Sequence, residues 1–224
     1  TGLTRNLTAG EMLSQIYQIQ KDTKERVSNI IVMGMGEPLD NYEELLRFIK
    51  LVSCEKGIGI SQRNITVSTC GLVDKIRMLA DEKLQITLAI SLHAPNDEIR
   101  RQTMPIANRY TIGEIIQACK YYFDKTGRRI TFEYSMIRGV NDKEEHAKEL
   151  AGRLSGLNCH INLIPLNEVK ERNCYRSTKE DIEKFKTILE KYRKTVTIRR
   201  EMGSDIDAAC GQLRKKFLTK NGRN

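Results

Sequence analysis

The 224-residue sequence has no apolar run long enough to span a bilayer as a helix. Its opening, TGLTRNLTAGE, has no apolar core and no initiator methionine, so no secretory signal is read there and part of a longer protein is expected. The six cysteines, Cys54, Cys70, Cys119, Cys159, Cys174 and Cys210, never fall at C-x-x-C spacing, which removes the zinc-ribbon and redox-pair readings. Reduced thiols and a cytoplasmic location are the simplest expectation for such spacing. No linker or low-complexity segment divides the chain, so one substantial core is expected.

What the sequence does have is positive charge. The formal net charge is +9, on a chain that is 39% hydrophobic and 30% charged. Arg100, Arg101 and Arg109 lie close in sequence, as do Arg128 and Arg129, then Lys170, Arg172 and Arg176. Arg199, Arg200, Arg214, Lys215 and Lys216 form a last group. Basic residues that neutralise phosphates release counterions, so a polyanion is the expected partner, with nucleic acid ahead of an acidic metabolite.

Hydrophobic periodicity alternates along the chain. Helical periods occur in TAGEMLSQIYQIQKDTKER, NYEELLRFIKLVSCE, VDKIRMLADE, IGEIIQACKYYFDKTG, EEHAKELAGRLSG and KEDIEKFKTILEKYR. Thr8 followed three residues later by Glu11 is a capping box at the first of them. Short apolar or alternating runs, NIIVMG, NITVST, QITLAISL, RITFEYSMI, HINLIPL and TVTIRR, read as six strands. Strands separated by helices pair in parallel through right-handed crossovers, giving an α/β fold, either a barrel or an open doubly wound sheet. A βα repeat should open on a strand, so a first strand is expected to be missing.

In parallel α/β proteins ligands bind where strands end. After NIIVMG, Gly34 and Gly36 permit a tight turn, and Glu37 puts a carboxylate beside it, suited to an ammonium group, ahead of Pro38. After NITV come Ser68 and Thr69, after QITLAI come Ser91 and His93, and after HINLIP comes Asn167, whose amide suits an adenine edge or a ribose hydroxyl. Each has an ordinary explanation as a turn or packed residue. Together they have the layout of a nucleoside or amino-acid pocket. A stretch after the last strand, EMGSDIDAACGQLRKK, holds Cys210 among small residues, where a buried structural thiol and a functional one are both open.

The words RNLTAGEM, VMGMGEPLDN, SLHAPND, IPLNEV and DIDAACGQL resemble, in this order and over the whole chain, the RlmN/Cfr group of radical S-adenosylmethionine RNA methyltransferases, with its C2-methylating RlmN branch as the better fit. The resemblance implies a partial (β/α)6-type barrel over residues 1–200, followed by a catalytic-cysteine loop and basic tail over 201–224. It implies S-adenosylmethionine held by Gly36, Glu37, Ser68, Ser91, Leu92, His93 and Asn167, with Cys210 carrying the methyl group. It also implies methylation of an adenine of 23S rRNA and of some tRNAs by a cytoplasmic, monomeric enzyme that uses a [4Fe–4S] cluster. In the group that cluster is held by C-x-x-x-C-x-x-C, and this sequence has no such motif. The expectation is therefore a C-terminal part of the enzyme, without metal ligands and inactive by itself. Methylation at C8, as by Cfr, and an inert RNA-binding fragment remain as competing expectations. An unrelated metabolic barrel fits less well, because IPLNEVKERN is a poor phosphate-binding loop.

Overall fold

The computed structural model describes residues 3–166 and 175–200. Six strands, β1 (Ile30–Val32), β2 (Ile65–Thr69), β3 (Thr87–Ser91), β4 (Ile130–Met136), β5 (Cys159–Pro165) and β6 (Thr195–Ile198), form one sheet in the order β1-β2-β3-β4-β5-β6. Every neighbouring pair is parallel. That order separates the two architectures left open by periodicity. A doubly wound sheet reverses its strand order at a switch point, whereas here each strand is added beside the last. With crossovers of one hand, helices then stay on one side of the sheet and leave the other face open, as in a partial barrel.

Among the described residues seven α-helices accompany the strands: α1 (Ala9–Thr23), α2 (Tyr42–Val52), α3 (Val73–Asp81), α4 (Asp97–Thr103), α5 (Ile112–Thr126), α6 (Glu144–Arg153) and α7 (Lys179–Lys191). Their starts are set by local chemistry. Thr8 and Thr111 each accept from the backbone N–H three residues on, while Glu11 and Glu114 reach back to the cap backbone, completing capping boxes at α1 and α5. Gly127, at φ 65°, ends α5 in the left-handed conformation that suits glycine at a helix C-terminus. The short α4 has no clear apolar period and was not anticipated. Its start is marked by Asn96, whose Oδ1 accepts from the Ile99 N–H at 3.0 Å.

Burial alternates along the strands. Ile65 and Val67, Leu88 and Ile90, Phe132 and Tyr134, and Ile161 and Leu163 are fully buried against the helices. Tyr134 packs on Phe185 of α7 with ring centroids 5.2 Å apart. The intervening residues face the other side, and they are mostly polar: Thr66 and Ser68, Thr87 and Ser91, Thr131, Glu133 and Ser135, His160 and Asn162, Thr195 and Thr197. Period-2 alternation thus gives the sheet an apolar outer face and a hydrogen-bonding inner face. On the edge strand the inner side is apolar instead, with Ile31 59% exposed.

Candidate functional site

Three of the turns that follow strands are tied together by side chains accepting or donating to backbone. Glu37 follows β1 and precedes a 3-10 turn, Pro38–Asn41. One of its carboxylate oxygens accepts from the Leu39 N–H at 3.0 Å and the other from the Cys70 N–H at 2.8 Å. The half-buried carboxylate thus caps its own turn and clasps the end of β2, and it retains lone pairs for a further donor. Burial, reinforced by Glu37, pushes the Cys70 thiol up to about 12, so it stays protonated beside that carboxylate. Gly36 stands at φ 97°, where a side chain would be strained, and its neighbourhood is open.

The end of β3 is held from beneath by Arg100. This side chain is fully buried and its guanidinium meets carbonyl oxygens: Nε donates to Leu92 at 3.2 Å, Nη1 to Tyr110 at 3.4 Å, and Nη2 to Cys70 at 2.7 Å and Ser91 at 3.4 Å. The sequence pattern had grouped Arg100 with Arg101 and Arg109 as a basic surface. The structure corrects this for Arg100: α4 turns it inward, where it binds the ends of β2 and β3 together and is withheld from any partner at the surface. Its four carbonyl contacts make up for part of the cost of burying the charge. Arg101 and Arg109 remain exposed.

His93 follows directly, in the left-handed region at φ 57°. Its Nδ1 accepts from the Ser135 N–H at 3.0 Å, which leaves the ring proton on Nε2. Burial, and the nearby positive charge of Arg100, push its pKa down to about 4, so the ring is neutral near pH 7 and presents a fixed Nε2–H donor. The buried Asn141 amide locks this corner. Its Nδ2 donates to the carbonyls of His93 at 2.8 Å and Ser135 at 2.7 Å, and its Oδ1 accepts from the Ile137 N–H at 2.7 Å. Sequence reasoning missed both Arg100 and Asn141, since a basic residue and an asparagine in a loop carry no signal of inward orientation.

The predicted residues therefore fall into distinct positions. Glu37, Ser68, Ser91 and His93 stand at successive strand ends, at one end of the sheet beside the open polar face. Ser68 and Ser91 are half-buried. Leu92 is fully buried, with its N–H donating to the Glu133 carbonyl at 3.1 Å and its own carbonyl taken by Arg100, so it anchors the segment between Ser91 and His93. Asn167 and Cys210 lie outside the described residues. An open cleft of about 410 Å³ between the second half of α1 and the loop after α2, lined by Tyr17, Gln20, Arg26 and Lys56 among others, lies at the opposite ends of the strands.

A singly wound sheet with polar groups at its strand C-termini is a plan this chain shares with known proteins. Residues 5–151 match the radical SAM superfamily. The chain belongs to the radical SAM superfamily. Within the superfamily, it is 60% identical over 219 residues to the probable dual-specificity RNA methyltransferase RlmN of Lachnoclostridium phytofermentans, which covers 98% of this chain and 62% of that protein. It is 61% identical over 217 residues to the protein of the same name from Lachnospira eligens, covering 97% of this chain and 62% of that protein. A solved radical SAM methyltransferase from Sphaerobacter thermophilus superposes with a TM-score of 0.89 at 48% identity, covering 94% of this chain and 63% of that one. The chain thus spans about 62% of the length of the curated relatives first named.

Superfamily membership implies S-adenosylmethionine and a [4Fe–4S] cluster. The donor set fits the first: a carboxylate with spare lone pairs at Glu37, hydroxyls at Ser68 and Ser91, and the neutral Nε2–H of His93. It does not fit the second. Among the described residues no group of three or more His, Cys, Asp or Glu is placed to hold a metal ion. Cys54, in the loop after α2, is exposed, Cys70, just after β2, is half-buried, and Cys119 on α5 and Cys159 on β5 are buried. A cluster with one iron open to cofactor needs three convergent thiolates.

Proposed function

We propose that the chain is the cofactor-binding part of an RNA methyltransferase that methylates C2 of an adenosine in 23S rRNA and in some tRNAs. The observation that supports this most is the 60% identity over 219 residues with the RlmN of Lachnoclostridium phytofermentans. The relatives' greater length supports reading this chain as one part of such an enzyme, with residues 1–200 as barrel and 201–224 as the cysteine-bearing segment.

In this reading the rim of the sheet holds S-adenosylmethionine. Glu37 accepts from its ammonium group while the open backbone at Gly36 lets the ligand approach. Ser68, Ser91 and the His93 Nε2–H bind its polar atoms, Leu92 fixes the spacing of the last two, and Asn167 reads the adenosine half. When bound, the cofactor supplies a methyl group and, in this superfamily, radical chemistry, which adenine C2 requires because that carbon is a poor nucleophile. Cys210 is the methyl carrier. In that role its thiol would hold the methyl group that the bound cofactor supplies, between the cofactor and the base. The exposed arginines at this end of the sheet, Arg101, Arg109, Arg138, Arg199 and Arg200, suit a phosphate backbone. A cytoplasmic monomer completes the proposal.

The test uses the full-length protein and its Cys210→Ala variant. The wild type is expected to place a methyl group on the Cys210 sulfur, detected in the tryptic peptide, and to yield 2-methyladenosine on digestion of the RNA. The variant should fall to background while still binding S-adenosylhomocysteine. Formation of 8-methyladenosine would move the assignment to C8, and full activity in the variant would remove Cys210 from the chemistry.

A further inference from the structure

The open cleft at the far end of the sheet is used by nothing described so far. It lies between the second half of α1 and the loop after α2, and its lining includes Tyr17, Gln20, Arg26, Lys56 and Ile58. Arg26 precedes β1 and Lys56 precedes β2, so the cleft sits at the strand N-termini, away from Glu37, Ser91 and His93. Its volume of about 410 Å³ falls in the range of small-ligand pockets.

Every polar side chain on this lining can donate a hydrogen bond, and no carboxylate is among them. Arg26 and Lys56 each adjoin a glutamate in sequence, Glu25 and Glu55, yet among the described residues neither forms an ion pair. Elsewhere Arg47 is paired with Glu44, Arg109 with Asp74, and Arg153 with Glu149. Helix dipoles do not account for the two cations. A dipole favours positive charge within the last turn, where α1 and α2 already carry Lys21 and Lys50, and Arg26 and Lys56 lie beyond both helices. The walls are fixed by hydrogen bonds. Gln20 Oε1 accepts from the Val27 N–H at 3.0 Å, which ties the chain after α1 to that helix and leaves the Gln20 amide nitrogen to donate elsewhere. Across the cleft, the Gly57 N–H donates to the Cys54 carbonyl at 2.9 Å and the Ile60 N–H to the Val52 carbonyl at 3.0 Å. Tyr17 stands 50% exposed between these walls.

We propose that this cleft is a second RNA-binding site, which takes one unpaired nucleotide with its base on Tyr17 and its phosphate between Arg26 and Lys56. This rests on the RNA-methyltransferase reading above. An aromatic ring beside cations is a general solution for single-stranded nucleic acid, because every base has a face to stack and every nucleotide a phosphate to neutralise. The Gln20 amide offers a donor to the base edge. An acidic peptide would satisfy the cations but leave the Tyr17 ring uncovered. Cleft and rim lie at opposite ends of the strands, so the nucleotide held here is distinct from the adenosine that reacts, and the site anchors another part of the RNA. Arg129, at this end of the sheet but before β4, does not line the cleft.

The experiment irradiates the full-length protein with a single-stranded oligouridylate that carries 5-iodouridine, which crosslinks to aromatic rings stacked on it. The tryptic peptide of residues 6–21 contains Tyr17 as its single aromatic residue and should carry the crosslink. Tyr17→Phe should keep it and Tyr17→Ala should lose it. The double variant Arg26→Gln, Lys56→Gln should need about tenfold more RNA for half-maximal crosslinking, because a charge-assisted hydrogen bond is lost. All these side chains are exposed, so melting temperature and S-adenosylhomocysteine binding should stay at wild-type values. Crosslinks confined to other peptides, or an unchanged half-maximum in the double variant, overturn the proposal and leave the RNA reading intact. Competition by oligoglutamate as strong as by unlabelled oligouridylate of equal charge also overturns it, in favour of an acidic protein segment. Absence of RNA binding by the wild type overturns both readings.

Discussion

Two residues at the site show how burial changes what a side chain is for. Arg100 has the chemistry of a phosphate ligand and the surroundings of a structural pin, since four carbonyls from four residues converge on it. Arg100→Met keeps the volume and strands those acceptors. A loss of about 3 kcal/mol in urea unfolding is expected, because each abandoned buried acceptor costs about 1–3 kcal/mol and some will find water. Cofactor affinity should fall with it, as Ser91 and Cys70 lose their common anchor. His93 makes the opposite case, a titratable group held neutral. Its pKa is about 4 when folded and about 6.5 when unfolded, so between these values the unfolded chain binds more protons. Stability from the neutral ring is therefore complete above pH 6.5 and is lost as pH falls toward 4. His93→Asn, which tolerates the left-handed backbone, should flatten the fall in urea midpoint between pH 7 and pH 4.5 relative to the wild type. A parallel pair of profiles would show that His93 does not titrate in this window.

The elements meet the site at their ends, and there the turns are as constrained as the strands. Gly71 lies between β2 and α3 at φ 100°, and a Cβ there would sit 2.8 Å from Ile115 Cδ1 and 3.2 Å from Ile115 Cγ1, with Arg100 Nη2 at 3.5 Å. The glycine is thus required twice, by its backbone angle and by the approach of α5. Gly71→Ala should destabilise by about 2–4 kcal/mol, combining left-handed strain with overpacking of a filled space. Thermal unfolding reads this directly, and a neutral result would mean that α5 moves aside without cost. The capping boxes of α1 and α5 were legible in the sequence because they are local, Thr8 with Glu11 and Thr111 with Glu114. The helix α4 was not legible, because its seven residues carry no apolar stripe and it is held by the inward turn of Arg100.

On the scale of the molecule, the two ends of the sheet differ in what they offer to a polyanion. Arg199 and Arg200 are exposed at the end of β6, at the same end as Glu37, Ser91 and His93, whereas the exposed Arg129 precedes β4 at the other end. On the RNA reading, replacing Arg199 and Arg200 by Ala should reduce the slope of log affinity against log salt by about 1.5, since each phosphate contact contributes about 0.7–0.9. Arg129→Ala should leave the slope unchanged. Equal effects from both ends would indicate nonspecific attraction by the net charge of +9.

The sequence by itself determined every strand and every helix but α4, with their parallel pairing, because strand and helix periods are read within a few residues and six of each in alternation admit few topologies. It also marked Glu37, Ser68, Ser91 and His93, since small polar residues directly after apolar runs fall at strand ends wherever those strands lie. Only the tertiary structure decided that the sheet is singly wound, because strand order depends on contacts between residues distant in sequence. The roles of Arg100 and Asn141 were likewise decided in three dimensions. A charged or amide side chain in a sequence is equally compatible with solvent and with a buried network. The neighbours that choose between them, Cys70 for Arg100 and His93 for Asn141, are brought together by the fold from 30 and 48 positions away.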